Sequence, residues 1–181
     1  MQQADHRAVT LVLGGVRSGK SHFAQKLADT ASAVAFLATA KACDAEMQEK
    51  IRRHQQQRPK DWRTLEEPLE LARALAEQAT QFDMLLVDCL TTFVANLLEN
   101  EPANVETRIE CFLEALRSVS ASVVLVSNEV GSGIVPAYPA GRRFRDLLGE
   151  VNQKVAALAD NVVLMIAGLP LVLKGRIEVR P

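Results

Sequence analysis

The chain has 181 residues, 48% of them hydrophobic; with about 100–200 residues per domain as the rule, one well-buried domain spanning 1–181 is expected. Its 21 basic and 22 acidic residues leave a net charge of −1, and only 4% are aromatic, which argues against a surface built for nucleic acid or anionic lipid. The start, "MQQADHRAVT", lacks an apolar signal core, and the longest apolar stretch, near Asn161–Leu173, is shorter than the roughly 18 residues of a spanning helix, so a cytoplasmic protein with a small-molecule partner is expected.

The first apolar run, Val9–Leu13, enters a glycine-rich turn and then a helical pattern over Ser21–Thr30. The turn, Gly14-Gly15-Val16-Arg17-Ser18-Gly19-Lys20-Ser21, fits G-x-x-x-x-G-K-[ST] in the strand-to-helix context that the motif requires. Its glycines let backbone N–H groups converge on a phosphate, Lys20 reaches the β- and γ-phosphates, and Ser21 is placed to ligate Mg²⁺. The competing reading is a chance glycine turn. His22, on the helix behind the loop, reads as a surface or packing residue, and His6 lies in the polar start.

A second run, Val34–Ala38, leads into a segment, 38–67, in which Asp44 is a plausible N-cap and Met47, Ile51 and His54 share one helix face at i, i+4 and i+7. Lys50, Arg52, Arg53, Arg58, Lys60 and Arg63 surround His54 with positive charge that suits a triphosphate. From these residues alone a solvated helix face is the better account.

Further along, the pattern predicts a helix over Pro68–Gln81 and a strand over Met84–Asp88. Asp88 follows four apolar residues, the position of an acid that holds a metal's water shell beside a P-loop; capping a following helix is the alternative. A helix over Val105–Val119, a strand over Val123–Ser127, a helix over Phe144–Ala159 and a strand over Val162–Ala167 complete the series. Continuous apolar strands alternating with helices imply an α/β fold, a parallel sheet with helical crossovers. The last residues, "LVLKGRIEVRP", suggest a terminal hairpin about Lys174 and Gly175. Cys43, Cys89 and Cys111 lack metal-ligand spacing and read as buried small hydrophobes in a reducing compartment.

Four segments together resemble a known family: "GGVRSGKS", "RRHQQQRPKDWRTLEE", "SNEVGSGIVP" at Ser127–Pro136 and "GEVNQKVAALAD" at Gly149–Asp160. They look like the bifunctional adenosylcobinamide kinase/adenosylcobinamide-phosphate guanylyltransferases of cobalamin biosynthesis, over about Thr10 to Gly168. The H-x-x-x-R-P-x-x-W spacing combined with N-E-V-G-x-G-I-V-P makes the resemblance specific.

The resemblance implies a P-loop NTPase with a RecA-like, mostly parallel sheet and helices on both faces. It implies phosphorylation of the aminopropanol hydroxyl of adenosylcobinamide by ATP or GTP, then transfer of GMP from GTP to that phosphate through a GMP-histidine, for which His54 is the matching residue. Lys20 serves catalysis, and Ser21 and Asp88 serve Mg²⁺. Nucleotide contacts carried over by motif fall on Gly14, Gly15, Val16, Arg17, Ser18, Gly19, Lys20 and Ser21, on Ala38, Thr39 and Ala40, on Gln55, Gln56, Gln57 and Arg58, and on Glu66 and Asp88. A homo-oligomer, often a trimer, is implied as well. Two departures stand out: Asp88 replaces the Glu of some relatives, and Arg53 replaces a second histidine. Glu129 is a candidate base for the kinase step, with a purely loop-forming role as its competitor. A plain small-molecule P-loop kinase and a RecA-like assembly ATPase are the alternative readings.

Overall fold

The computed structural model describes residues 7–40 and 59–177. Within them seven strands form one sheet: β1 (Val9–Gly14), β2 (Val34–Ala38), β3 (Arg63–Glu66), β4 (Met84–Asp88), β5 (Ser122–Asn128), β6 (Asn161–Ile166) and β7 (Leu169–Lys174). The helices among the described residues are α1 (Lys20–Ala28), α2 (Leu71–Gln78), α3 (Leu90–Asn100), α4 (Val105–Ser118) and α5 (Pro139–Leu158). The sheet runs β3-β2-β4-β5-β1-β6-β7, and every neighbouring pair is parallel except β6 with β7. The expected parallel α/β sheet is therefore present, with β5 inserted between the strand that precedes the glycine-rich loop and the strand that ends in Asp88.

Central strands are mostly apolar because both of their faces are covered. On one face α1 packs Phe23 and Ala24 against Val12, Phe36, Leu86 and Val126, with Trp62 closing the edge. On the other, α2 to α5 bury Leu75, Phe93, Phe112 and Leu148 against Leu11, Leu37, Val87 and Leu125. Phe93 and Phe112 meet with ring centroids 5.6 Å apart at 57°, a tilted pair that adds about 0.5–1.5 kcal/mol beyond its burial.

Two elements are not in the sequence reading. The edge strand β3 carries the charged, mostly exposed sequence RTLE, so it has no apolar run to announce it. Helix α3 starts two residues after Asp88 and buries Leu90, Phe93, Val94 and Leu97, a clear i, i+3, i+4, i+7 set.

Other elements differ at their ends. Helix α5 begins at Pro139 rather than Phe144, because proline is favoured in a first turn and Arg142 ties that turn to the carbonyls of Pro136 (3.1 Å) and Ala137 (2.8 Å). The second arm of the expected hairpin about Lys174 and Gly175 runs beyond the described residues, which show no strand after Lys174 up to their end at Ile177. Strands β6 and β7 pair through Ala167 and Gly168, whose φ angles of 51° and 81° are those of a tight two-residue hairpin turn. Cys111 is also exposed rather than buried, since Ile109, Phe112, Leu113 and Leu116 take the inner face of α4. Cys89 is half-buried, and burial pushes its thiol up. No described helix is long and apolar enough to cross a membrane.

Candidate active site

The sheet delivers its candidate residues to one edge, the carboxyl ends of the parallel strands. β1 ends at Gly14, whose missing side chain is required: a Cβ there would lie 2.4 Å from Ser18 Oγ and 2.8 Å from the Met165 carbonyl oxygen. The loop then passes Arg17 (φ 57°) and Gly19 (φ 93°), two left-handed residues that turn successive N–H groups into an anion-binding concavity. Gly19 is also the N-cap of α1, where no side chain caps the helix and no acid occupies the first turn. The first-turn N–H groups and positive end of the helix dipole therefore face the loop, as a phosphate needs. Lys20 Nζ donates to the Gly15 carbonyl at 2.9 Å, so an incoming phosphate competes with that carbonyl for the ammonium.

Strand register brings the remaining predicted residues together. Ala38 pairs with Glu66 on one side and Asp88 on the other, and Asp88 pairs with Val126, two residues short of Asn128, which pairs with Gly14. Alternation along β4 sends Leu86 to the α1 side and Val87 to the opposite side, so Asp88 faces the α1 side, where the glycine-rich loop lies. Thr39 is fully buried, with its hydroxyl bonded to the backbone of Cys89. Ala40 is half-buried and Glu66 exposed. His54, Gln55, Gln56, Gln57 and Arg58 lie outside the described residues, as does Cys43. His22 is exposed, in keeping with a surface role.

Several polar side chains that support this edge escaped the sequence reading. Asn96 Nδ2 donates to the carbonyls of Thr39 (2.8 Å) and Pro68 (3.1 Å). The Asn128 N–H donates to Thr91 Oγ1 at 2.8 Å, and Asn152 Nδ2 donates to the Asn128 carbonyl at 3.0 Å. The available signal was a polar residue on an otherwise apolar helix face, as Asn96 is between Phe93 and Leu97. Glu129 folds back on its own loop, accepting N–H groups from Gly131 (2.8 Å) and Ser132 (3.3 Å). Burial pushes its carboxyl up, but the bonds from Gly131 and Ser132 outweigh burial and hold it below the usual carboxylate range. A carboxylate so satisfied is a weak proton acceptor, which favours the loop-forming role.

Among the described residues no group of three or more His, Cys, Asp or Glu is arranged to hold a metal. One hydroxyl (Ser21) and one carboxylate (Asp88) are nevertheless the hard oxygen donors suited to Mg²⁺, which keeps several waters and takes the rest of its shell from nucleotide phosphates.

A family model described as cobinamide kinase / cobinamide phosphate guanyltransferase (CobU) matches residues 10–173. The chain belongs to this family. Its similarity to the bifunctional adenosylcobalamin biosynthesis protein CobP of Pseudomonas aeruginosa is 45% identity over 167 residues, covering 91% of this chain and 96% of that protein. To the bifunctional adenosylcobalamin biosynthesis protein CobU of Salmonella typhimurium it is 39% identical over 178 residues, covering 91% and 98%. More distant similarity, at a TM-score of 0.55, links it to an ATPase of a bacterial type III secretion system (12% identity; 91% of this chain, 56% of that one). A Pyrococcus horikoshii protein, PH0250, gives the same score at 10% identity (96% and 90%). At these identities the two structures bear on the fold alone, a P-loop NTPase fold. A membership of the cobinamide kinase and guanyltransferase family that spans residues 10–173 disfavours both the plain kinase and the assembly ATPase.

Proposed function

We propose that this chain carries both activities of its family. It phosphorylates the aminopropanol hydroxyl of adenosylcobinamide with ATP or GTP, then transfers GMP from GTP to adenosylcobinamide phosphate through a GMP-histidine at His54, giving adenosylcobinamide-GDP. The observation that supports this reading best is the glycine-rich loop of Gly14 to Ser21, set on the same sheet edge as Asp88 and backed by the family match.

For the kinase step the protein's task is positioning and charge neutralisation. The loop N–H groups and α1 terminus hold the phosphates, and Lys20 leaves the Gly15 carbonyl to meet charge developing on the transferred group. Mg²⁺, when bound at Ser21 and Asp88, supplies further neutralisation of the phosphate oxygens. For guanylyl transfer, a neutral His54 imidazole attacks the α-phosphorus of GTP as pyrophosphate leaves, and an oxygen of the cobinamide phosphate then displaces the imidazole. Of the basic residues near His54 in sequence, Arg53 and Arg58 above all are suited to offset charge on the phosphoryl oxygens. The same reading makes the chain a cytoplasmic homo-oligomer, a trimer by resemblance, which sedimentation velocity tests.

The direct test is product analysis by mass spectrometry. With adenosylcobinamide, Mg²⁺ and ATP alone, the phosphate is the expected product, and adenosylcobinamide-GDP appears only once GTP is added. Phosphate as the sole product under both conditions would favour a plain kinase.

A further inference from the structure

Thr39 has three polar groups, and each is committed to the protein around Asp88. Its N–H donates to the Asp88 carbonyl at 3.3 Å. Its hydroxyl accepts the Cys89 N–H at 2.8 Å and donates to the Cys89 carbonyl at 2.7 Å. The Thr39 carbonyl accepts Asn96 Nδ2 at 2.8 Å, and the residue is fully buried. One side chain at the end of β2 thus grips the backbone just beyond Asp88 on both sides of a residue, and Asn96 of α3 holds the Thr39 carbonyl in turn.

We infer that the Thr39 hydroxyl is a positioning group, which fixes where the Asp88 carboxylate stands through the Asp88–Cys89 backbone and acts apart from any nucleotide contact made elsewhere in Thr39. The inference rests on the metal-shell role of Asp88 proposed above. Ordinary strand pairing of β2 with β4 ends at Ala38 and Asp88, so beyond that register the Thr39 hydroxyl replaces the ladder. A buried hydroxyl bonded to both backbone groups of one residue leaves that peptide little room to rotate, and the Asp88 side chain hangs from the preceding Cα. Removing the hydroxyl leaves the Cys89 N–H and carbonyl without this partner, and the backbone beyond Asp88 must shift to satisfy them.

The test compares Thr39→Val, which keeps the branched shape and deletes the hydroxyl, with Thr39→Ser, which keeps the hydroxyl. A fluorescent GTP analogue is titrated against the full chain in EDTA and in Mg²⁺. Wild type should bind more tightly in Mg²⁺, and Asp88→Asn should lose most of that gain. Thr39→Val should lose about tenfold of the Mg²⁺-induced tightening while its affinity in EDTA stays within about twofold of wild type. Thr39→Ser should behave as wild type, and combining Thr39→Val with Asp88→Asn should weaken binding by no more than about twofold beyond Asp88→Asn alone. Loss of affinity in EDTA equal to that in Mg²⁺ would make the Thr39 hydroxyl itself a direct nucleotide contact and overturn the inference. So would an unaltered Mg²⁺ gain in Thr39→Val beside a lost one in Asp88→Asn. If Asp88→Asn itself keeps the full gain, the role of Asp88 fails first. Should Thr39→Val not fold, Thr39→Cys, with a weaker donor and acceptor at the same size, carries the same comparison.

Discussion

The N–H of Gly168 donates to the carbonyl of Ser18 at 3.0 Å, joining the turn between β6 and β7 to the phosphate loop. A Cβ on Gly19 would lie 3.3 Å from the Gly168 Cα, so the two backbones pack closely where Gly19 holds φ at 93°. Gly19→Ala should therefore cost about 1–2 kcal/mol from the left-handed backbone alone, before any crowding against Gly168. Chemical denaturation should show this loss, and nucleotide affinity should fall with it. Wild-type stability in Gly19→Ala would mean that the loop conformation is not the one described.

Lys20→Ala should abolish phosphorylation of adenosylcobinamide, with a loss of at least about 10²-fold in rate, because its ammonium is the group proposed to meet the charge on the transferred phosphate. Single-turnover transfer of a γ-labelled phosphate measures it. A rate near wild type would remove the loop from the chemistry.

Glu129→Gln should leave the kinase pH profile in place and change the rate by less than about tenfold. The carboxylate is already occupied by Gly131 and Ser132, and those bonds hold its titration below the usual range. A lost basic or acidic limb in the rate profile would restore Glu129 as the base.

Arg108 ties the start of α2 to α4. It donates to both carboxylate oxygens of Glu70, one of them at 3.1 Å, and its Nε stands 3.2 Å from Glu101 Oε2. The Arg108 hydrogen bonds, against a smaller opposing effect of burial, hold the Glu70 carboxyl below the usual carboxylate range. A lowered carboxylate stabilises the fold above its unfolded pKa, and the contribution disappears as pH falls through the lower folded value. Because Glu70 is 44% exposed, the pair is worth no more than about 1 kcal/mol. Urea unfolding of Glu70→Gln should show that deficit at neutral pH and a difference from wild type that vanishes once the pH falls below the folded value. A deficit that persists at low pH would point to packing instead of charge.

The parallel sheet was legible because β1, β2, β4, β5 and β6 are apolar runs, and β2 and β4 match their expected limits, Val34–Ala38 and Met84–Asp88. The phosphate loop was equally legible, since its glycines carry both spacing and conformation. β3 was not, because an edge strand needs backbone partners more than apolar side chains. Helix α3 could have been read from Leu90, Phe93, Val94 and Leu97, but it begins too soon after a strand for the two patterns to separate. The alignment of Glu66, Ala38 and Asp88, and the Thr39 bonds to Cys89, depend on pairing between residues distant in sequence, 50 positions apart for Thr39 and Cys89, which no local pattern encodes.

Whether one chain both phosphorylates and guanylylates, with His54 as the nucleophile, is decided most directly by covalent labelling. Incubated with α-labelled GTP and Mg²⁺, the wild-type protein should acquire a label stable to alkali and lost in acid, as a phosphoramidate is. His54→Ala should acquire none while still phosphorylating adenosylcobinamide, since that step is proposed to depend on Lys20, Ser21 and Asp88 instead. Full labelling of His54→Ala, or an intact kinase with no label on the wild-type protein, would contradict the bifunctional mechanism.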